Sequence, residues 1–369
     1  MIVGVPREVK EGEHRVALTP DGVRELVAGG SDVVVQHGAG AGSSIVDADY
    51  EAAGARLASV EEVWASEMVV KVKEPQDDEL RWLRPDLVLF TYLHLAAYPA
   101  VAESLLESGA TALGYETVMD GAGRLPLLAP MSEVAGRLAT QVGAHYLEVG
   151  NGGRGVLLGG VPGVRPARVV VIGAGNVGWN AAWIAAGMEA EVILLDNNLD
   201  RLRWVDQIHR GRILTLASNR GAVERAVAEA DLVVGAVLVP GGRAPTVVTE
   251  EMVAGMRPRA VIVDVAVDQG GCVATTRETT HAAPTYVSHE VVHYAVGNIP
   301  GAVPHTSTYA LTNATLPFVA AVAGQGVAGA VAADPMVASG INVARGEVAN
   351  AAVASALGRP VVEPSALLA

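Results

Sequence analysis

Cysteine is almost missing from this chain: Cys272 is the only one in 369 residues. A single thiol cannot close a disulfide within the chain or furnish a cysteine-rich zinc site, and a reducing compartment, the cytoplasm, is expected. Basic residues are also scarce, 26 Lys and Arg against 40 Asp and Glu, for a formal net charge of −14. With no positive surplus to neutralise a phosphate backbone, nucleic acid is excluded as a partner, although a small acid could still be held locally. No secretory leader is expected either, because Met1-Ile-Val-Gly-Val-Pro6 runs at once into Arg7, Glu8 and Lys10. Neither an HExxH pair nor a GxSxG elbow is present, so zinc-protease and serine acyl-transfer chemistry have no support. His281, His289 and His293 lie close together, but Tyr286-Val287 and Val291-Val292 favour strand over a shared helix face, and no metal is expected. No internal repeat of solenoid length stands out.

Charge is absent from Tyr309 to Ala333, a stretch long enough to cross a bilayer. Asn313, Pro317, Gln325 and several glycines interrupt it, Ala outweighs Leu and Ile, and no basic flank marks an inside end. The expectation is a buried helix, a small-residue turn and a second helix, without a membrane.

What is present is organised around Arg168-Val-Val-Val-Ile-Gly-Ala-Gly-Asn-Val-Gly178. An apolar, β-branched run enters Gly173, Gly175 and Gly178, and helix-compatible spacing continues from Trp179 to Met188. The first glycine permits a tight turn, the second lets the backbone approach a pyrophosphate, and the third lets helix pack on strand. The next strand, Glu191-Val-Ile-Leu-Leu-Asp196, ends in an acid where a ribose 2′-hydroxyl would be met, which upgrades an otherwise weak motif to a dinucleotide site. A carboxylate there repels a 2′-phosphate and favours NAD over NADP. Arg201 nearby could accommodate that phosphate, and Asp196 could instead cap a helix, as Asn197, Asn198 and Asp200 also could.

Strands are expected at 2–6, 33–37, 68–73, 87–93 and 110–115, and again at 169–172, 192–196, 212–216, 232–237 and 260–265, alternating with helical patterns. Two parallel, doubly wound α/β sheets follow. Ligands of such sheets sit beyond the carboxyl ends of strands, which draws attention to Lys73, His94 and Glu116. Arg15 and Lys73 are a planar fork and a point charge suited to one substrate carboxylate, although either alone is more often a solvated cation. His94 can exchange a proton near neutral pH, as oxidation of an alcohol or amine requires. Asp268 closes a strand that spills into a glycine turn; Asp264 competes with it but lies earlier and could tie down the loop. After about Pro304 the pattern turns to helices.

Several long motifs resemble the bacterial L-alanine dehydrogenases, a family related to the soluble part of the proton-translocating nicotinamide nucleotide transhydrogenases. They are Gly4-Val-Pro-Arg-Glu-Val-Lys10, Glu13-His-Arg-Val-Ala-Leu-Thr-Pro20, Lys71-Val-Lys-Glu-Pro75, Leu93-His-Leu-Ala-Ala97 and Leu127-Leu-Ala-Pro-Met-Ser-Glu-Val-Ala-Gly-Arg137. Gly152-Gly-Arg-Gly-Val-Leu-Leu-Gly-Gly-Val-Pro-Gly163, Asp264-Val-Ala-Val-Asp-Gln-Gly-Gly-Cys272 and Thr306-Ser-Thr-Tyr-Ala-Leu-Thr-Asn-Ala-Thr315 continue the series. The resemblance implies NAD-dependent, reversible oxidative deamination of L-alanine to pyruvate and ammonia by a homo-hexamer. It implies two Rossmann-like domains: a discontinuous substrate domain, residues 1–127 with 305–369, and an NAD domain, residues 128–304. His94 and Asp268 match the catalytic pair, and Arg15, Lys73, Met131 and Asn298 match substrate-binding positions. Ser132, Gly173, Gly175, Asn176, Val177, Gly178, Asp196, Arg201, Ser218, Leu238, Val239, Val265, Val267, Asp268, Arg277 and Asn298 match cofactor contacts. Ile299 and His305 depart from the family pattern, where a methionine and a basic residue are common.

Overall fold

The computed structural model describes residues 1–237 and 243–368, which divide into two compact units, Met1–Met131 with Val303–Ala369, and Ser132–Ala302. The first unit contains strands β1 (Ile2–Val5), β2 (Asp32–Gln36), β3 (Arg56–Ala58), β4 (Met68–Val70), β5 (Val88–Thr91) and β6 (Thr111–Gly114). The second contains β7 (Arg168–Ile172), β8 (Glu191–Asp196), β9 (Ile213–Ala217), β10 (Leu232–Gly235), β11 (Val261–Asp264), β12 (Thr285–Ser288) and β13 (Val291–Tyr294). The tail adds β14 (Ile341–Ala344) and β15 (Glu347–Val348).

The first sheet runs β15-β14-β6-β5-β4-β1-β2-β3. From β3 to β6 every pairing is parallel, while β14 lies antiparallel to β6 and β15 antiparallel to β14. β4 and β6 are buried at every residue, so their apolar runs show no alternation, as a sheet covered on both faces demands. The expectation of helices alone after Pro304 is corrected here. β14 and β15 form a hairpin across Arg345 and Gly346, both at positive φ, and its strands are too short to carry a period. Helix Pro304–Ala333 breaks at Gly326, where φ is 70° and ψ 165°. Only 28% of its most apolar window is buried within the chain, so the expected buried helix is covered on one face only. That face presents Ser307, Leu311, Thr315, Val319 and Val322 at helical spacing.

The second sheet runs β12-β13-β11-β10-β7-β8-β9, parallel except for β12 against β13. Tyr286 and His293 are paired across that last hairpin and His289 lies in its turn, so the histidines do not share a helix. The core of this unit packs β-branched residues of the central strands, Val170, Val233 and Ile262, against Val223, Val227, Met252 and Val253 from the covering helices. Each such fully buried side chain contributes about 1.5–3 kcal/mol relative to exposure. In both sheets the chain winds one way from a central strand and then the other. The order reverses between β1 and β4 in the first unit and between β7 and β10 in the second. Loops leaving the carboxyl ends of those strands are where ligands of doubly wound sheets are held.

Candidate active site

Two strands of the first unit end earlier than their apolar runs suggest. In the run 68–73 the strand ends at Val70; Lys71 N–H and the Val72 carbonyl still bond to Phe90 and Tyr92, but the Val72 N–H goes to Glu8, on the loop after β1, at 2.6 Å. The run 87–93 stops at Thr91, because the Leu93 and His94 N–H groups turn to Glu116. In each case a carboxylate draws backbone donors off the ladder, and the freed segment carries Lys73 or His94 beyond the strand end.

Arg15, from the loop after β1, is buried, with 2% of its surface exposed. Its Nε and Nη2 donate to the Glu13 carboxylate at 2.7 and 2.5 Å, a two-pronged pair that also accepts the Arg15 main-chain N–H. Burial pushes the Glu13 carboxyl up, but the hydrogen bonds and charge of Arg15 outweigh it and hold the group down at about 2. Arg15 Nη1 lies 3.0 Å from the Met131 sulfur. Lys73 is half-buried; its carbonyl accepts from Thr91 Oγ1 at 2.8 Å, and its ammonium makes no hydrogen bond or ion pair with a described residue. Burial lowers its proton affinity, and the neighbouring Arg15 charge lowers it further. Two cations, Arg15 and Lys73, therefore stand close enough for one charge to act on the other, an arrangement suited to one anion. Beneath it, buried Lys71 bridges Glu8 and Glu79 at 3.1 and 2.8 Å, while Lys10 pairs with Glu74 at 2.5 Å.

His94 sits at φ 47°, a left-handed conformation that costs a non-glycine residue. Its ring stacks on Tyr92, centroids 5.6 Å apart, and Tyr92 is anchored by its hydroxyl on the Leu127 carbonyl. Burial lowers the proton affinity of the imidazole, Glu116 opposes that, and Lys73 reinforces it. Arg15, Lys73, Met131 and His94 thus come together at the switch point of the first sheet. Glu13, Glu8 and Tyr92, which hold them, were not singled out from sequence. Glu13 stands two residues before Arg15, and that spacing was the available signal.

In the second unit the glycine turn follows β7. Gly173 takes φ 103°, and a side chain on Gly178 would run into the Gly173 carbonyl. Gly175 caps helix Asn176–Gly187 without a side-chain partner, and the nearest neighbour to a Cβ built there is Arg201 Nη1, 4.0 Å away. The first N–H groups of that helix, Asn176 and Val177 among them, have no acceptor within the helix, which fits a pyrophosphate. Asp196 is buried at the end of β8. It accepts from the Ala174 N–H at 2.6 Å and the Asn198 N–H at 2.7 Å, with Arg201 Nη1 at 3.7 Å. The helix-cap role falls instead to Asn198, which accepts from Asp200 and Arg201. Ser218 follows β9 and donates its N–H to the Asp196 carbonyl.

Val265, Val267 and Asp268 lie on the single turn Val265–Gln269 after β11. Asp268 is exposed, and its Oδ1 accepts the N–H of Asn298, itself at φ 56°. Asp264 accepts from Cys272 N, Val273 N and Thr276 Oγ1, so it ties down the glycine loop. The Arg277 guanidinium lies 4.1 Å from the Tyr286 ring centre. Ser132 opens the second unit's share of helix Ala129–Tyr146. Ile299 is buried, and the His305 ring donates to the Ser43 carbonyl at 2.7 Å in the first unit. Leu238 and Val239 lie outside the described residues.

Two family profiles cover the chain: alanine dehydrogenase/PNT, N-terminal domain, matches residues 4–135, and alanine dehydrogenase/PNT, C-terminal domain, matches residues 139–351. An alanine dehydrogenase from Halomonas elongata is 55% identical over 100% of both chains. A solved L-alanine dehydrogenase superposes with a TM-score of 0.95 at 50% identity, covering 97% of this chain and 99% of its own. A transhydrogenase from Sinorhizobium meliloti shares the fold, with a TM-score of 0.83 at 24% identity over 95% of this chain and 100% of its own. Glycine turn, charged strand-end loops and full-length similarity agree: the chain belongs to the alanine dehydrogenase/PNT family.

Proposed function

We propose that this protein is an NAD-dependent L-alanine dehydrogenase, catalysing reversible oxidative deamination of L-alanine to pyruvate and ammonia, and that it works as a cytoplasmic homo-hexamer. The unit built from residues 1–131 and 303–369 is assigned the substrate, and the unit 132–302 the cofactor. The observation that carries the reading is the pairing of buried Arg15 with neighbouring Lys73, beside an imidazole, in a member of this family.

In this reading Arg15 and Lys73 hold the alanine carboxylate, with the Arg15 fork kept in one orientation by Glu13 and by contact with Met131. Positioning of this kind supplies much of the rate. His94 takes a proton from the water that adds to the substrate carbon and returns it as ammonia leaves. Burial favours its neutral form, which is the form that can accept. Asp268, on the second unit, is assigned the carboxylate that stabilises positive charge at that carbon, and Asn298 is assigned substrate and cofactor contacts. Bound NAD would accept the hydride from Cα. Its phosphates are assigned to the Gly173, Gly175 and Gly178 turn with Asn176 and Val177, and its adenosine ribose to Asp196, flanked by Arg201 and Ser218. Ser132, Leu238, Val239, Val265, Val267, Asp268 and Arg277 are assigned the remaining contacts.

The test is direct: the purified protein is mixed with L-alanine and NAD at alkaline pH and followed at the NADH absorbance band. NADH formation that stops when alanine is omitted supports the reading. Tight NADH binding with no turnover on alanine, glycine or serine favours a transhydrogenase-like role, for which the shared fold of the Sinorhizobium protein is the supporting observation.

A further inference from the structure

We infer that Glu116 is a positioning residue for His94, holding the imidazole in place through two main-chain hydrogen bonds. β5 and β6 are paired as far as Thr91 and Gly114, and beyond that register the two chains part. Glu116 stands two residues past β6, on the single turn Tyr115–Thr117, and reaches back across the gap. The Leu93 N–H donates to both of its oxygens at 3.2 Å, and the His94 N–H donates to Oε1 at 2.6 Å. Two successive N–H groups aimed at one carboxylate make an anion nest, and the occupant here is the protein's own side chain. That grip accounts for a histidine at φ 47°, which few non-glycine residues adopt without an external hold. The His94 carbonyl then accepts the N–H groups of Ala97 and Tyr98, so the turn is closed on both sides.

The same carboxylate acts on the ring. Burial disfavours the imidazolium most, Glu116 and Glu74 favour it, and Lys73 and Lys10 disfavour it. Glu116 therefore sets both the direction of His94 and part of its proton affinity, two effects that one neutral acceptor separates. In Glu116→Gln an amide oxygen remains for the two N–H groups while the charge goes; in Glu116→Ala both are lost.

This inference rests on the proposed alanine oxidation, so the wild-type protein is assayed first. A wild type that makes no NADH from alanine sinks that reading, whatever the variants do. With the wild type active, kcat for alanine oxidation is measured against pH in both variants. In Glu116→Gln the acid limb moves to lower pH, because the His94 proton has lost a stabilising charge, and the plateau falls far less than in Glu116→Ala. In Glu116→Ala the plateau drops about 10²-fold, the scale of a displaced acid/base, while KM for alanine changes less than about twofold because Arg15 and Lys73 are untouched. An acid limb that stays in place in Glu116→Gln overturns the inference, as does wild-type kcat in Glu116→Ala. Should Glu116→Ala fail to fold, Glu116→Asp, whose shorter side chain cannot reach both N–H groups, takes its place, and wild-type kcat in that variant overturns the inference.

Discussion

The two units build their switch points from opposite materials. At the first, side chains crowd the crevice: Arg15, Lys73 and His94 face it, and Glu8, Glu13 and Glu116 hold them from behind. At the second, side chains are removed, and Gly173, Gly175 and Gly178 lead into a helix start that no side chain caps. The difference matches the ligand proposed for each. A small amino acid offers one carboxylate and one reacting carbon, and only charged side chains with defined reach can fix both. A pyrophosphate is large and multiply charged, and a helix start that nothing obstructs is sufficient.

The largest effect is expected where the bare backbone is covered. Gly178→Ala places a Cβ against the Gly173 carbonyl, a main-chain atom that cannot step aside. NADH binding, read by calorimetry, should be lost, whereas Gly187→Ala, in the same helix with nothing within 4 Å, should bind as the wild type does. Equal affinity in the two variants would mean that the glycine turn is not the phosphate cradle. Next comes His94→Ala, the side-chain counterpart. It should lower kcat by about 10²-fold or more while NADH binding is retained. Near-wild-type turnover would take the imidazole out of the chemistry and leave the crowded crevice without its acid/base.

This contrast also decides how much could be read from sequence. A missing side chain is itself a letter, so the glycine turn, its flanking strands and Asp196 were legible without coordinates. Arg15, Lys73 and His94 were legible as polar residues at strand ends. Glu116 was legible in the same way, but its hold on His94 and that of Glu8 on Val72 and Lys71 were not, because they span twenty-two and more than sixty residues, separations at which no local period operates. The strand ends at Val70 and Thr91 were overrun for the same reason: the apolar run continues while the Val72, Leu93 and His94 N–H groups turn to distant carboxylates. β3 and β14 escaped notice as three- and four-residue strands, too short for the alternation on which strand assignment depends.

Glu13 sharpens the comparison, since its burial has meaning only if the crevice is an electrostatic device. Held at about 2 against an ordinary 4.5, its carboxyl favours the folded state by about 3 kcal/mol when ionised. Because the folded value lies below the unfolded one, that contribution is present above pH 4.5 and disappears as pH falls toward 2. Glu13→Gln should therefore unfold at lower urea than the wild type at neutral pH, and the gap between their midpoints should narrow as pH falls from 4.5 toward 2. KM for alanine should rise as Arg15 loses its two-pronged hold. A gap that stays constant with pH would show that the pair is held by packing and not by charge.

The smallest effect belongs to Asp196, the side chain at the glycine turn itself, and it tests whether that turn is as independent of side chains as the contrast claims. Asp196 already spends one oxygen on the Ala174 N–H and the other on the Asn198 N–H, so it shapes the turn as well as facing the sugar position. Asp196→Asn keeps an oxygen for one of these donors and removes the charge that would repel a 2′-phosphate, with Arg201 3.7 Å away to receive it. kcat/KM with NAD should fall by about tenfold, the scale of one charged hydrogen bond, while kcat/KM with NADP rises. If both cofactors lose equally, Asp196 serves only to shape the glycine turn, and discrimination lies elsewhere in the unit. If the ratio moves toward NADP with little loss on NAD, the turn stands without its carboxylate, and main-chain recognition of the phosphates is the sturdier of the two designs.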